Sequence, residues 1–372
     1  MVFSLIVLAV FALLVAAAAL CDVIPAVRTW IQRIGIGSLA PQQAREKMRS
    51  AASRMLRRTP AVPVGDGTRF TLPERLRGTY KSRNVQSWQR AALLLGVSRS
   101  GNDAAARDCA DDLLTADGRW KQPVERVDEA LLAYALLRAA DEPRKVRPAM
   151  DEMYTFLTQR QSDGTVPYVS GGAHVRYVDT TGMICPFLWL YGETYDVPQA
   201  KELCLRQLEE YTNRGISPVT GLPAHAFRLS DGAALGIGDW GRGCGWYALS
   251  LAELLRCGAD VTAPAESLAR AILPLQQQSG AWSRQLLSER GIESTATAML
   301  GHLCAVLYAK TDAQPYKTAA ENAQRALFAA TRKNGMTDYA QGDTKGIGFY
   351  SARLTAAPAA TGFALLLTEE LQ

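Results

Sequence analysis

No two cysteines in this chain are spaced Cys-x-x-Cys, and no histidine stands beside Cys244, the thiol around which a metal reading would be built. The seven cysteines, Cys21, Cys109, Cys185, Cys204, Cys244, Cys257 and Cys304, are scattered, and 372 residues hold only three histidines. This excludes a disulfide-stapled fold. It also leaves a zinc site without its three or four thiolate or imidazole ligands, so neither a metal nor another cofactor is expected. Buried free thiols in a reducing compartment are the reading that remains. Alternation of polar and apolar residues is almost absent from Asn84 onward, which removes the usual sign of a half-buried strand. The formal net charge of +5 owes most to Arg28, Arg33, Arg45, Lys47, Arg49, Arg54, Arg57 and Arg58, a short stretch with few acids. Such a segment suits an anionic lipid surface better than nucleic acid, which is not expected as a partner.

Residues 2–20, VFSLIVLAVFALLVAAAAL, carry no charge, and at about 1.5 Å per residue they nearly cover the hydrocarbon core of a bilayer. They read as a membrane anchor. A cleaved signal peptide is the competing reading, since Ala16 to Ala19 would suit a peptidase, but such peptides open on a positive segment and here no Lys or Arg precedes Arg28. With the basic residues on the C-terminal side, the positive-inside rule places the body of the protein in the cytoplasm. The expected organisation is an anchor over 1–22, a basic juxtamembrane segment and linker over 23–79, and one helical catalytic domain over 80–372. In the middle segment Ala44, Met48, Ala51, Met55 and Leu56 recur at helical spacing. That spacing fits either an amphipathic helix lying on the inner leaflet or an outer helix of the main domain.

From Asn84 onward, helix-length apolar segments recur: WQRAALLLG, VDEALLAYALL, GMICPFLWLYG, CGWYALSLAELL, STATAMLGHLCAVLYA and TGFALLLTEEL. Each is more apolar than the segment that follows it, as in PRKVRPAMDEMYTFLTQR after the second. Segments that are apolar nearly all round belong inside, and amphipathic ones belong around them. Six such pairs predict an all-α fold, an (α/α)6 toroid of six helical hairpins, with the last outer place filled by the helix around residues 41–57. An open solenoid of hairpins is the alternative.

Polar and aromatic exceptions gather just before the inner segments: Asp128, Asp179, His225, Trp240, Arg242, Trp246 and Glu293. Taken singly, each has an ordinary explanation. Asp128 and Asp179 stand at helix starts, where a capping carboxylate is commonplace. His225 suits a turn or core place, Arg242 suits a pair with Asp239, and the tryptophans suit core. As a set at one end of a barrel, flanked by glycines that would let a ligand approach the backbone, they fit sugar chemistry. Aromatic faces stack on pyranose rings, an arginine grips a carboxylate, and a carboxyl in an apolar setting moves a proton.

The order VDTTGMICPFL, TGLPAHAF, DWGRGCGWYALSLAELL and ESTATAML resembles glycoside hydrolase families 88 and 105, the unsaturated glucuronyl and rhamnogalacturonyl hydrolases. The resemblance covers about residues 80–372, and its most specific element is W-x-R-G-x-G-W at Trp240 to Trp246. It implies a six-hairpin barrel acting on an oligosaccharide that ends in an unsaturated uronic acid. Asp179 would be the general acid and base and Asp128 the second active-site carboxylate, while His225, Arg242, Trp240, Trp246 and Trp88 would form the sugar subsite. The implied reaction is hydration of the 4,5-double bond. Cys244 departs from the family, where Asn is common. The alternative is a non-catalytic, membrane-anchored saccharide-binding protein on the same barrel, and a cyclase or epimerase on a similar toroid lacks its zinc ligands or its histidine pair.

Overall fold

The computed structural model describes residues 2–62, 76, 83–101, 103–169, 171–344 and 346–372. The chain runs through α1 (Val2–Arg33), α2 (Pro41–Arg57), α3 (Arg83–Arg99), α4 (Asp103–Leu113), α5 (Glu129–Ala139) and α6 (Pro143–Gln159). It continues with β1 (Val175–Tyr177), α7 (Val178–Tyr195), α8 (Pro198–Arg214), β2 (Ala226–Arg228), β3 (Ala234–Leu235), α9 (Gly241–Arg256) and α10 (Thr262–Ile272). The last elements are α11 (Ser294–Thr311), α12 (Gln314–Ala329), β4 (Ala340–Gln341), β5 (Leu354–Thr355) and α13 (Pro358–Glu370).

The fully apolar segments become the inner ring, α3, α5, α7, α9, α11 and α13, each packed on the next, with α13 returning to α3. Every residue of α9 from Gly241 to Leu255 is buried, as is every residue of α11 from Ser294 to Leu307. The outer helices bury one face only; α6, for example, covers Ala149, Met150, Met153 and Leu157 and leaves its charges to solvent. Ring closure depends on two glycines. A Cβ on Gly96 would lie 2.3 Å from the Gly362 carbonyl oxygen, and one on Gly362 would lie 2.3 Å from the backbone of Ala92, so α3 and α13 meet backbone to backbone.

Helix α2 takes the sixth outer place against α3 and α13, burying Ala44, Met48, Ala51, Ala52, Met55 and Leu56. Its apolar face is therefore occupied by protein, which corrects the reading that laid it on a lipid leaflet. Salt bridges from Arg45 and Arg49 to Glu369 at 2.6 and 3.0 Å fix it further. Helix α1 is long and apolar enough to cross a membrane, and it does not stop at residue 22 but continues to Arg33. There the Arg33 guanidinium makes two 2.9 Å bonds to the Asp338 carboxylate and one of 2.8 Å to the Leu354 carbonyl, tying the end of α1 to the barrel.

The connections at the two ends of the barrel differ. From inner to outer helix the chain turns in a few residues, helped after α7 and α11 by Asp196 and Asp312, both in the left-handed conformation at φ 56°. From outer to inner helix the connections are long and carry the strands. Antiparallel pairing in the order β1–β2–β3 sets Tyr177 opposite Ala226, and β4 pairs with β5. Strands of two or three residues are too short to leave an alternating pattern in the sequence. None of the seven cysteines forms a disulfide, and five of them are buried.

Candidate active site

A cavity of about 650 Å³ opens at the end where the inner helices begin. That volume lies within the range of ordinary small-ligand sites. Trp88, Asp128, Asp179, His225, Arg242 and Trp246 all stand on its wall. Trp240 does not; it lies one layer back, its ring 4.6 Å from that of His225 and its indole N–H donated to Gln341 Oε1 at 2.8 Å.

Neither helix-start aspartate is spent on capping by its side chain: Asp128 makes no side-chain cap bond, and the residue capping α7 is Tyr177. Oδ2 of Asp128 and Oδ2 of Asp179 are both buried without a hydrogen-bond partner among the described residues. An unsatisfied buried acceptor costs on the order of 1–3 kcal/mol, so two around one cavity mark a place kept open for something else. Strand pairing puts His225 against Asp179. The Val178 N–H donates to the His225 carbonyl at 2.9 Å, which carries His225 Nε2 to 3.3 Å from Asp179 Oδ2, close but not aligned as a hydrogen bond. Nδ1 of the same ring lies 2.5 Å from the Tyr350 hydroxyl, which also accepts from the Ile237 N–H at 3.0 Å. Gly236 at φ 77° permits this: a Cβ there would stand 2.4 Å from the Tyr350 hydroxyl.

Burial pushes the Asp128 carboxyl up to about 7, with the charges of Glu129 and Asp343 adding to the effect. Asp343, on the connection after β4, is pushed up to about 6, again by burial first and only partly relieved by Arg242. The hydroxyl of Tyr350 is pushed up to about 12 by burial, so it stays neutral.

Arg242 does not pair with Asp239, whose carboxylate instead accepts from the Leu287 N–H at 2.8 Å. Its Nη1 donates to the Gln341 carbonyl at 2.7 Å and its Nη2 to the Gly342 carbonyl at 3.1 Å, and Nη2 stands 3.9 Å from Asp343 Oδ1. The guanidinium sits 5.1 Å from the Trp240 ring and 5.8 Å from the Trp88 ring. Arg242 thus fixes the loop that carries Asp343. Glu293 proves to be a true cap: it accepts from the N–H groups of Thr295, Ala296 and Gln341 at 3.3, 2.6 and 2.8 Å, joining α11 to β4. The glycines around Arg242 also differ from expectation. A Cβ on Gly241 would lie 2.3 Å from the Ser283 carbonyl, one on Gly243 2.7 Å from the Trp240 ring, and one on Gly245 2.4 Å from Met299. They seat α9 against its neighbours and do not open the backbone to a ligand. Burial holds the Cys244 thiol protonated, far above its ordinary range.

Sequence reasoning missed Asp343, Tyr168, Tyr177 and Tyr350. Tyr177 adjoins the VDTTG stretch and was within reach; the other three lie in connections without periodicity and arrive through long-range pairing. Trp88 and Trp246 meet edge to face at 5.3 Å, and Tyr177 meets His225 the same way at 5.6 Å, giving the cavity two aromatic walls.

A sequence model of glycosyl hydrolase family 88 matches residues 88–370. No curated protein matches the sequence. Among solved structures, a possible member of family GH105 from Salmonella enterica serovar Paratyphi A is similar with a TM-score of 0.72 at 18% identity, covering 89% of this chain and 94% of that one. An unsaturated glucuronyl hydrolase specific for heparin gives 0.66 at 14%, covering 89% and 97%. The unsaturated glucuronyl hydrolase of Bacillus sp. GL1, responsible for the degradation of glycosaminoglycan, gives 0.63 at 16%, covering 88% and 96%. At these identities the structural likeness is one of fold, the six-hairpin barrel. Because the family match spans well over half of the chain, this protein belongs to glycosyl hydrolase family 88 and is a glycoside hydrolase with an oligosaccharide substrate.

Proposed function

We propose that this hydrolase hydrates the 4,5-double bond of an unsaturated uronic acid at the end of an oligosaccharide, with Asp179 as its acid and base. The observation that carries the reading is the unpartnered Asp179 Oδ2 on the cavity wall, 3.3 Å from His225 Nε2 and facing the same space as Asp128. Protonated Asp179 gives its proton to carbon 4. Water then adds at carbon 5 while Asp179 takes up the water's proton, and the hemiketal so formed opens and releases the rest of the saccharide. This cycle consumes one water and returns Asp179 to its starting form.

The surrounding residues support each stage. A Tyr350 hydroxyl that donates to His225 Nδ1 leaves the Nε2 hydrogen facing Asp179, where it orients the carboxylate. Asp128, held up at about 7, keeps a proton in the cavity near neutral pH. The Trp88 and Trp246 rings offer faces for the sugar. We further infer that α1 anchors the chain in a membrane with the barrel on the cytoplasmic side, on the evidence of charge asymmetry around the apolar run and of cysteines that form no disulfide. Reporter fusions at the C-terminus test that side; a periplasmic signal would reverse it.

The test of the reaction follows loss of the ultraviolet absorbance of the conjugated uronate, using lyase-generated disaccharides with wild type and Asp179→Asn. Bleaching by wild type and a fall of about 10²–10⁴-fold in the variant are expected, the usual weight of a general acid and base. Full turnover by Asp179→Asn sinks the assignment.

A further inference from the structure

Two arginines on the cavity wall take no part in the chemistry above. Arg126 ends the connection into α5, two residues before Asp128, and Arg160 closes α6. Among the described residues neither forms an ion pair. The contrast with other arginines at this end is plain: Arg176 is bound to Glu210 at 3.1 Å and Arg242 to two carbonyls. Arg160 is nevertheless held in place, its guanidinium 5.5 Å from the Phe156 ring and its Nη2 donating to the Tyr168 carbonyl at 3.4 Å. Its Nε is buried with no acceptor. The charge of Arg126 adds to burial in making the Arg160 cation harder to hold. Glu125, Asp128, Asp179 and Asp343 line the same cavity, but among the described residues none is within ion-pair distance of either guanidinium, so the two like charges leave a cost that a bound anion removes.

Depth decides which part of the saccharide meets them. Asp128 is 3% exposed and the Asp179 side chain 13%, whereas Arg126 is exposed and the neighbouring Val169 is 45% exposed. Arg126 stands nearer the rim than the carboxylates that face the double bond, and Arg160, half-buried, reaches the same wall. We propose that Arg126 and Arg160 form an oxyanion subsite for an acidic group on the leaving residue, so that the substrate class is an unsaturated uronosyl saccharide whose second residue bears a sulfate or a carboxylate. The proposal rests on the hydration reading for its orientation. The planar guanidiniums supply paired donors suited to either oxyanion.

The experiment compares unsaturated uronosyl-hexosamine disaccharides with and without sulfate on the hexosamine, together with an unsaturated diuronate, on the full chain and on Arg126→Gln, Arg160→Gln and the double variant. Wild type is expected to favour one or both acidic substrates over the neutral one by about ten-fold or more in kcat/KM, carried by KM and weakened by salt. The preference should shrink in each single variant and approach unity in the double variant. Which acidic substrate shows it identifies the oxyanion. A wild type that favours the neutral disaccharide, or variants that slow all three substrates equally, would overturn the subsite. Calorimetric binding of the saturated, sulfated disaccharide and of a saturated diuronate separates the two readings. Binding of either ligand that needs both arginines, without turnover of any substrate, sinks hydration and keeps the subsite, whereas binding of both ligands that is indifferent to the arginines overturns the subsite whatever the turnover.

Discussion

Two of the groups of buried ionisable side chains in this barrel are built on opposite terms. Deeper among the inner helices, Glu253 is fully buried and every call on it is answered: His302 Nε2 at 2.6 Å, the Tyr134 hydroxyl, and Arg256 at 3.4 Å. Burial alone would raise its carboxyl, but His302, Arg256 and Tyr134 together hold it well below the usual range. At the mouth, Asp128 and Asp179 each keep an oxygen without a partner, and Asp128 and Asp343 are pushed up because too little opposes burial. On the proposed reading, satisfaction separates the structural Glu253 from the acids of the cavity. Burial and helix position do not, since both kinds sit on inner helices.

The comparison breaks most sharply on exchange of the two acids. Asp179→Asn should cost about 10²–10⁴-fold in turnover while leaving thermal stability equal or higher, because it removes an unsatisfied carboxylate. Glu253→Gln should do the reverse. Removing one member of a buried, paired cluster costs about 3–5 kcal/mol, read as a lowered denaturant midpoint, with turnover per folded molecule retained. If Glu253→Gln instead abolished turnover in a protein of unchanged stability, the division drawn here would be wrong.

A smaller effect concerns pH. A carboxyl raised in the folded state keeps its proton where the unfolded chain has lost it, so between about pH 4 and 7 the folded form binds more protons and stability falls as pH rises. Asp128 at about 7 and Asp343 at about 6 both act this way. Glu253 and Asp338, held low, contribute stability that is lost only on further acidification, below the ordinary carboxylate range. Melting temperature is therefore expected to drop from pH 5 to pH 8, by the equivalent of about 2–4 kcal/mol for Asp128. Asp128→Asn should flatten most of that slope. An unchanged slope would show that Asp128 ionises as freely in the folded chain as in the unfolded one.

The sequence made the satisfied parts of the molecule more readable than the unsatisfied ones. Segments such as CGWYALSLAELL announce burial on all sides, and the spacing of Ala44, Met48, Ala51, Met55 and Leu56 marked the helix that completes the outer ring, because packing against a fixed neighbour imposes a period. Asp128, Asp179, His225, Arg242 and Trp246 were legible through their order and their closeness to helix starts, and all five reach the cavity. Asp343 and Tyr350 were not, because their place depends on β4–β5 pairing two residues long and on the Glu293 bond to Gln341, neither of which leaves a periodic trace. The glycines of the Trp240–Trp246 motif were misread for a related reason. A missing Cβ serves a ligand or a neighbouring segment equally well, and only the 2.3 Å that would separate a Cβ on Gly241 from the Ser283 carbonyl oxygen tells which.

The finest division between the two groups runs through Tyr350, which belongs to the mouth and yet is satisfied. Its hydroxyl bridges His225 Nδ1 at 2.5 Å and the Ile237 N–H at 3.0 Å, so Tyr350→Phe removes both bonds without changing the ring. Loss of a half-buried hydroxyl of this kind costs about 1 kcal/mol, and it frees the imidazole that faces Asp179. If Tyr350 only braces the loop, the variant melts lower with kcat intact. If it sets the His225 tautomer, kcat falls about ten-fold with little change in KM, and the pH–rate profile moves with it. The second outcome is expected, because His225 Nε2 stands 3.3 Å from the carboxylate oxygen that nothing else holds.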